Sequence, residues 1–177
     1  MSGKTLILGI GNNLLGDEGI GIHVVEHLHT LVADSTNLHD KLQLVDGGTL
    51  SFSLAGLIED CERLIVIDAT RLDAAPGTVR VFEGADMDHF LGSGKRSSVH
   101  EVSLLDLMAV VALNGHLPAQ RALIGIQPQD IDWSDQLSTP VAQAVPVVCE
   151  HVMQLAERWT NPSPLPEISH AQLATGG

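Results

Sequence analysis

Glu18, Asp68 and His100 are the residues of this chain whose types and placement could hold a divalent metal ion. Two carboxylates and one imidazole suit a borderline ion, and geometry selects which one. Each residue also has a plainer use. Glu18 follows Asp17 where a helix should start, and acids are favoured there because a helix N-terminus exposes N–H groups and partial positive charge. Asp68 could cap the turn after its strand, and His100 could cap a helix. His23 and His27 stand four residues apart and could bind metal as a pair, but a solvated helix face accounts for them more simply. Other chemistries lack their parts. The chain has no Gly-x-Ser-x-Gly elbow and no His-Glu-x-x-His pair. Cys61 precedes a strand and Cys149 falls within a helix, so each reads as a small apolar residue. Gly9-Ile10-Gly11 invites a dinucleotide reading, but the position of the third glycine is Leu14. The turn then delivers two acids where a pyrophosphate needs N–H groups.

These residues are positioned by a strand–turn–helix opening. Leu6 to Gly9 is a short apolar run that suits a buried parallel strand. After the glycine turn, Ile20, Val24 and Leu28 recur at helical spacing. Further strands are expected at Leu42–Val45, Arg63–Ala69, Thr78–Phe82 and Ala122–Ile126. The alternation in Thr78–Phe82 marks an edge or half-exposed strand. Helices are expected at Leu50–Asp60, Val102–Leu113 and Pro140–Arg158. Loops are expected at Val32–Asp40, at Gly84–Ser98 and in the acidic stretch Gln127–Thr139. Strands alternating with helices imply one α/β domain in three layers. Its twisted, mainly parallel sheet should have about five strands, with helices on both faces. In such sheets the carboxyl ends of the strands carry the site. That rule selects Glu18, Asp46, Asp68 and His100.

The 177 residues suffice for one domain with a sizeable core. The formal net charge of −13 disfavours nucleic acid and anionic lipid, which both need clustered Lys and Arg. No run approaches the about 18 apolar residues of a membrane span. The first residues hold one lysine and no long apolar region, which argues against a secretory signal and for a cytoplasmic protein. The domain is expected to span residues 1–159. Residues 160–177 contain three prolines, small residues and two terminal glycines, the composition of a disordered tail.

Six motifs arrive in order: Gly9-Ile10-Gly11-Asn12, Asp17-Glu18-Gly19-Ile20-Gly21, Asp46-Gly47-Gly48-Thr49, Ile65-Val66-Ile67-Asp68-Ala69, Ser98-Val99-His100-Glu101-Val102 and Ile124-Gly125-Ile126-Gln127-Pro128. Together they resemble the nickel–iron hydrogenase maturation endopeptidases. The resemblance implies a bacterial cytoplasmic enzyme, a metal-dependent endopeptidase of aspartic or unclassified type. It implies removal of a C-terminal extension from the hydrogenase large-subunit precursor after nickel insertion. The family's metal-binding positions fall on Glu18, Asp68 and His100, and its Asp-Gly-Gly-Thr acid on Asp46. Some members carry Asp where this chain has Glu18, which keeps the carboxylate and lengthens it by one methylene.

On this reading Glu18, Asp68 and His100 contact nickel supplied by the substrate. Glu18 and Asp68 share the catalytic role with Asp46, which orients a ligand, positions the scissile peptide or handles a proton. Gly47 and Gly48 either let a peptide backbone approach or only form a tight turn. Water is the simplest nucleophile. A non-proteolytic nickel-binding checkpoint for the same precursor would use the same ligands. Deleting Ser163 to Gly177 should leave melting temperature and activity nearly unchanged, because such a composition buries little apolar area. Thermal denaturation of the truncated chain checks this, and a loss of several degrees would show that the tail packs.

Overall fold

The structure, a computed structural model, describes residues 3–33, 41–93 and 99–161, with backbone alone for residues 99–103. Most of the expected tail lies outside the described residues, as do residues 34–40 of the first expected loop. Five strands form one sheet in the order β2-β1-β3-β5-β4. They are β1 (Thr5–Gly9), β2 (Leu42–Asp46), β3 (Arg63–Ala69), β4 (Val79–Glu83) and β5 (Gln120–Ile126). β1 pairs in parallel with β2 and β3, and β3 with β5. β4 is the exception, an edge strand antiparallel to β5. The connection from β3 to β4 carries no helix. It is too short to return the chain to the starting edge, which a parallel crossover requires.

Each face of the sheet has its own apolar core, because successive side chains of a strand point to opposite sides. Ile7, Ile65 and Ile124 pack against helix α1 (Ile20–Ala33) and the long C-terminal helix α5 (Thr139–Thr160). Leu6, Leu8, Leu64, Val66 and Leu123 pack on the other side. There they meet α2 (Ala55–Glu59), α3 (Ala85–Gly92) and α4 (Val99–Leu113). Full burial of each such side chain contributes about 1.5–3 kcal/mol. The three-layer expectation therefore holds.

Part of one expected loop is a helix, and residues 94–98 of that loop lie outside the described residues. Gly84–Ser98 was expected to be irregular from its Gly, Ser and Asp content, yet α3 occupies Ala85–Gly92. Composition concealed a pair at helical spacing: Met87 and Leu91 are both buried. Asp86 and Asp88 lie in the first turn, where the helix dipole favours acids. The Arg121 guanidinium pairs with both Asp88 oxygens. Phe90 stacks on Phe82 of β4, with centroids 4.2 Å apart. The helix expected over Leu50–Asp60 is also shorter, a 3-10 turn at Phe52–Leu54 followed by α2.

α1 approaches β1 and β3 closely enough that only glycine fits. A Cβ at Gly21 would lie 2.4 Å from the carbonyl oxygens of both Ile10 and Ile67. Backbone cannot swing aside as a long side chain can. Gly21→Ala should therefore destabilise by about 3 kcal/mol or more, at or beyond the upper end of ordinary overpacking. Gly56→Ala, where a Cβ meets nothing within 4 Å, should be neutral or stabilising. Thermal denaturation of the two variants side by side makes the check.

Candidate active site

The strand register gathers the expected residues at one edge. Gly9, the last residue of β1, pairs with Asp46 on one side and Ile67 on the other. Asp68 is one residue further along β3, opposite Gly125. α4 leads into β5, which runs parallel to β3, so α4 begins at the edge where these strands end. His100 lies in its first turn, one helical turn before the buried Leu104. The His100 side chain lies outside the described residues.

Glyine packing sets the Glu18 turn onto this edge. Glu18 sits half-buried in the 3-10 turn Gly16–Gly19 that leads directly into α1. Gly11 has φ +141°, and a Cβ there would lie 1.9 Å from the Glu18 carbonyl oxygen. Gly21, three residues past Glu18, rests on the carbonyl of Ile67, the neighbour of Asp68. The Gly9-x-Gly11 motif thus serves a close approach of two backbones.

Asp17 has a different role from the one its position suggests. It does not cap α1. Its side chain is fully buried and accepts four hydrogen bonds from the loop between β5 and α5. Oδ2 takes the N–H groups of Gln129 and Asp130 at 2.8 and 2.9 Å and the Ser138 hydroxyl at 2.7 Å. Oδ1 takes the Ser138 N–H at 2.7 Å. Burial by itself would push this carboxyl up. The hydrogen bonds from Asp130, Ser138 and Gln129 outweigh it and hold the group below its usual value.

Asp46 and Asp68 share the edge without sharing a face. Alternation in β2 sets Asp46 with Leu42 and Leu44, on the side of α1. Asp68 is fully buried and falls with Leu64 and Val66, on the side of α4. Two strand spacings separate their strands, roughly 10 Å. Asp46 is exposed, and its Oδ1 accepts the Gly48 N–H at 2.8 Å. The Gly48 carbonyl in turn accepts the Gly11 N–H at 2.8 Å, which staples this turn to the glycine loop. A cleft of about 160 Å³ lies beside it, lined by Leu50, Phe52, Asp106 and Leu107. That volume suits one side chain better than a cofactor, since small-molecule sites run from roughly 300 Å³.

Among the described residues, no three His, Cys, Asp or Glu side chains cluster as a metal site. The described part of the proposed ligand set consists of Glu18 and Asp68. Neither cysteine is a ready nucleophile: burial pushes both the Cys61 and Cys149 thiols up to about 11. At neutral pH both stay protonated, and the thiol is a poor nucleophile. Gln127, in the Ile124–Pro128 motif, has a structural role that its local sequence does not signal. Its Oε1 accepts the Leu72 N–H at 2.7 Å and so fixes the segment leaving Asp68.

A family model described as HycI, hydrogenase maturation protease, matches residues 22–155. The chain belongs to the hydrogenase maturation protease family. This hydrogenase maturation protease is 34% identical to the hydrogenase expression/formation protein HupD of Rhizobium leguminosarum bv. viciae, over 88% of this chain and 75% of that one. It is 37% identical to HoxM of Azotobacter vinelandii, over 86% and 72%. Among solved structures it resembles the hydrogenase maturating endopeptidase HybD from Escherichia coli. That likeness has a TM-score of 0.77 and 27% identity, over 89% and 94% of the two chains.

Asp17→Asn should destabilise this protease by about 2–4 kcal/mol, because an amide nitrogen would face N–H donors that the carboxylate now satisfies. The folded carboxyl lies below its unfolded value, so its contribution is present above about pH 4, near the ordinary Asp value. It is lost as pH falls through the folded value. Denaturant titrations at pH 7 and pH 3 check this: the gap between wild type and Asp17→Asn should be wide at the first and narrower at the second.

Proposed function

We propose that this protease removes the C-terminal extension of a nickel–iron hydrogenase large-subunit precursor, in the cytoplasm, after nickel has been inserted. The observation that carries the reading is the glycine packing that brings the Glu18 turn down beside Asp68 at one sheet edge. Membership of a protease family and the endopeptidase and formation-protein names of the relatives support it. Glu18, Asp68 and His100 contact the nickel that the precursor brings. Asp46, exposed on its stapled turn, positions the peptide to be cut. The nucleophile is water, consistent with two protonated thiols and no serine elbow.

Two carboxylates and one imidazole leave a divalent ion open positions, and alone they hold it loosely. An ion already held by the precursor supplies the remaining ligands itself. Carboxylates brought to one site repel each other, and the arriving dication removes that penalty. Recognition of nickel thereby becomes a check that the precursor is loaded.

The purified protein should carry little nickel. Nickel-loaded precursor should be cut, whereas metal-free precursor and a peptide of the extension alone should survive. Glu18→Ala, Asp68→Ala and His100→Ala should abolish processing with the fold intact, and the exposed His27→Ala should not. Mass spectrometry of the products, without added free metal, makes the measurement. Equal cleavage of loaded and metal-free precursor would sink the nickel mechanism. Stoichiometric binding without a shorter product would favour the checkpoint.

A further inference from the structure

The acidic loop between β5 and α5, with the turn after β1 beside it, presents apolar side chains that the fold does not use. Trp133 is 81% exposed, Ile131 60% and Leu14 52%. An exposed tryptophan gives up a large apolar burial, and tryptophan is the residue type most enriched among energetically dominant interface contacts. These residues are neighbours through the backbone. The Ser134 N–H donates to the Leu14 carbonyl at 3.0 Å, and the Gly16 N–H to the Ser134 carbonyl at 2.8 Å. The Asp17 N–H donates to the Asp130 carbonyl at 2.9 Å. The loop is held in one conformation by the Asp17 carboxylate beneath it, and its Asp130 side chain accepts the Asp132 N–H at 2.9 Å. A surface fixed before binding loses little conformational entropy on binding.

We propose that Leu14, Ile131 and Trp133 form the docking surface for the body of the precursor, and that the precursor meets it with an apolar patch bordered by Lys or Arg. This rests on the function proposed above. Continuity carries the assignment: the loop is hydrogen-bonded to the same Gly16–Gly19 turn that bears Glu18. The loop that carries Trp133 thus borders the turn that presents Glu18. Charge selects the partner. Asp130, Asp132 and Asp135 are exposed around the apolar residues, in a chain of net charge −13. A basic rim on the precursor complements them, whereas a second copy of this chain would meet them with the same acids.

The test combines affinity for nickel-loaded precursor with steady-state cleavage. Trp133→Ala and Ile131→Ser should raise both Kd and KM about tenfold or more, the scale of interface anchors, with kcat at saturation retained. Asp135→Lys should weaken binding and flatten its dependence on salt. Val147→Ser, at an exposed apolar position on α5, is the control and should change neither Kd nor KM. Unchanged melting temperatures would show that the variants fold. Wild-type Kd in Trp133→Ala and Ile131→Ser would overturn the docking surface, whatever cleavage shows. Lost binding in these variants, with no cleavage by wild type, would keep the docking surface and overturn the proteolytic reading. A wild-type dimer that Trp133→Ala converts to monomer would assign the patch to self-association and overturn the proposal.

Discussion

The buried Asp17 carboxylate joins two parts of the chain that are more than 110 residues apart in sequence. Its four hydrogen bonds tie the turn after β1 to the loop after β5 and to Ser138, the residue before α5. A charged group taken out of water is tolerated only when its lone pairs are satisfied, and here donors meet both oxygens. The same bonds fix the turn carrying Glu18 and the loop carrying Trp133. One structural ion thus stands behind a proposed metal ligand and a proposed docking surface without belonging to either.

Glycines complete what Asp17 begins. Absence of a side chain at Gly21 lets α1 settle against the carbonyls of Ile10 and Ile67, and at Gly11 it admits the Glu18 carbonyl. The Glu18 turn is drawn down with it. Neighbouring segments are joined by backbone hydrogen bonds, Gly11 to Gly48 and Gly47 to Gly9, so the Asp46 turn belongs to the same network. Proteolysis needs such rigidity, because displacement of about 1 Å can cost two orders of magnitude in rate.

The edge also divides its labour by face. Asp68 lies on the α4 side with the helix that carries His100, while Asp46 lies on the α1 side in an exposed turn. The buried acid suits a ligand held at a fixed distance. The exposed acid suits a contact with an extended peptide passing over the turn.

The sequence by itself determined the three-layer architecture, because apolar periodicity and strand-end acids are local signals. It also placed Glu18, Asp46, Asp68 and His100 at one edge, since parallel strands all finish on the same side. It misjudged Ala85–Gly92, where composition outweighed the Met87–Leu91 spacing. Tertiary structure alone decided the role of Asp17, whose partners Gln129, Asp130 and Ser138 leave no trace near it in the chain. It alone decided that Asp46 and Asp68 face opposite ways, because strand alternation becomes a direction only once each strand has chosen its core. It also decided the meaning of the glycines, which depends on a carbonyl of Ile67 delivered from a separate strand. Local patterns report what a segment prefers, whereas close approach and shared hydrogen bonds exist only between segments.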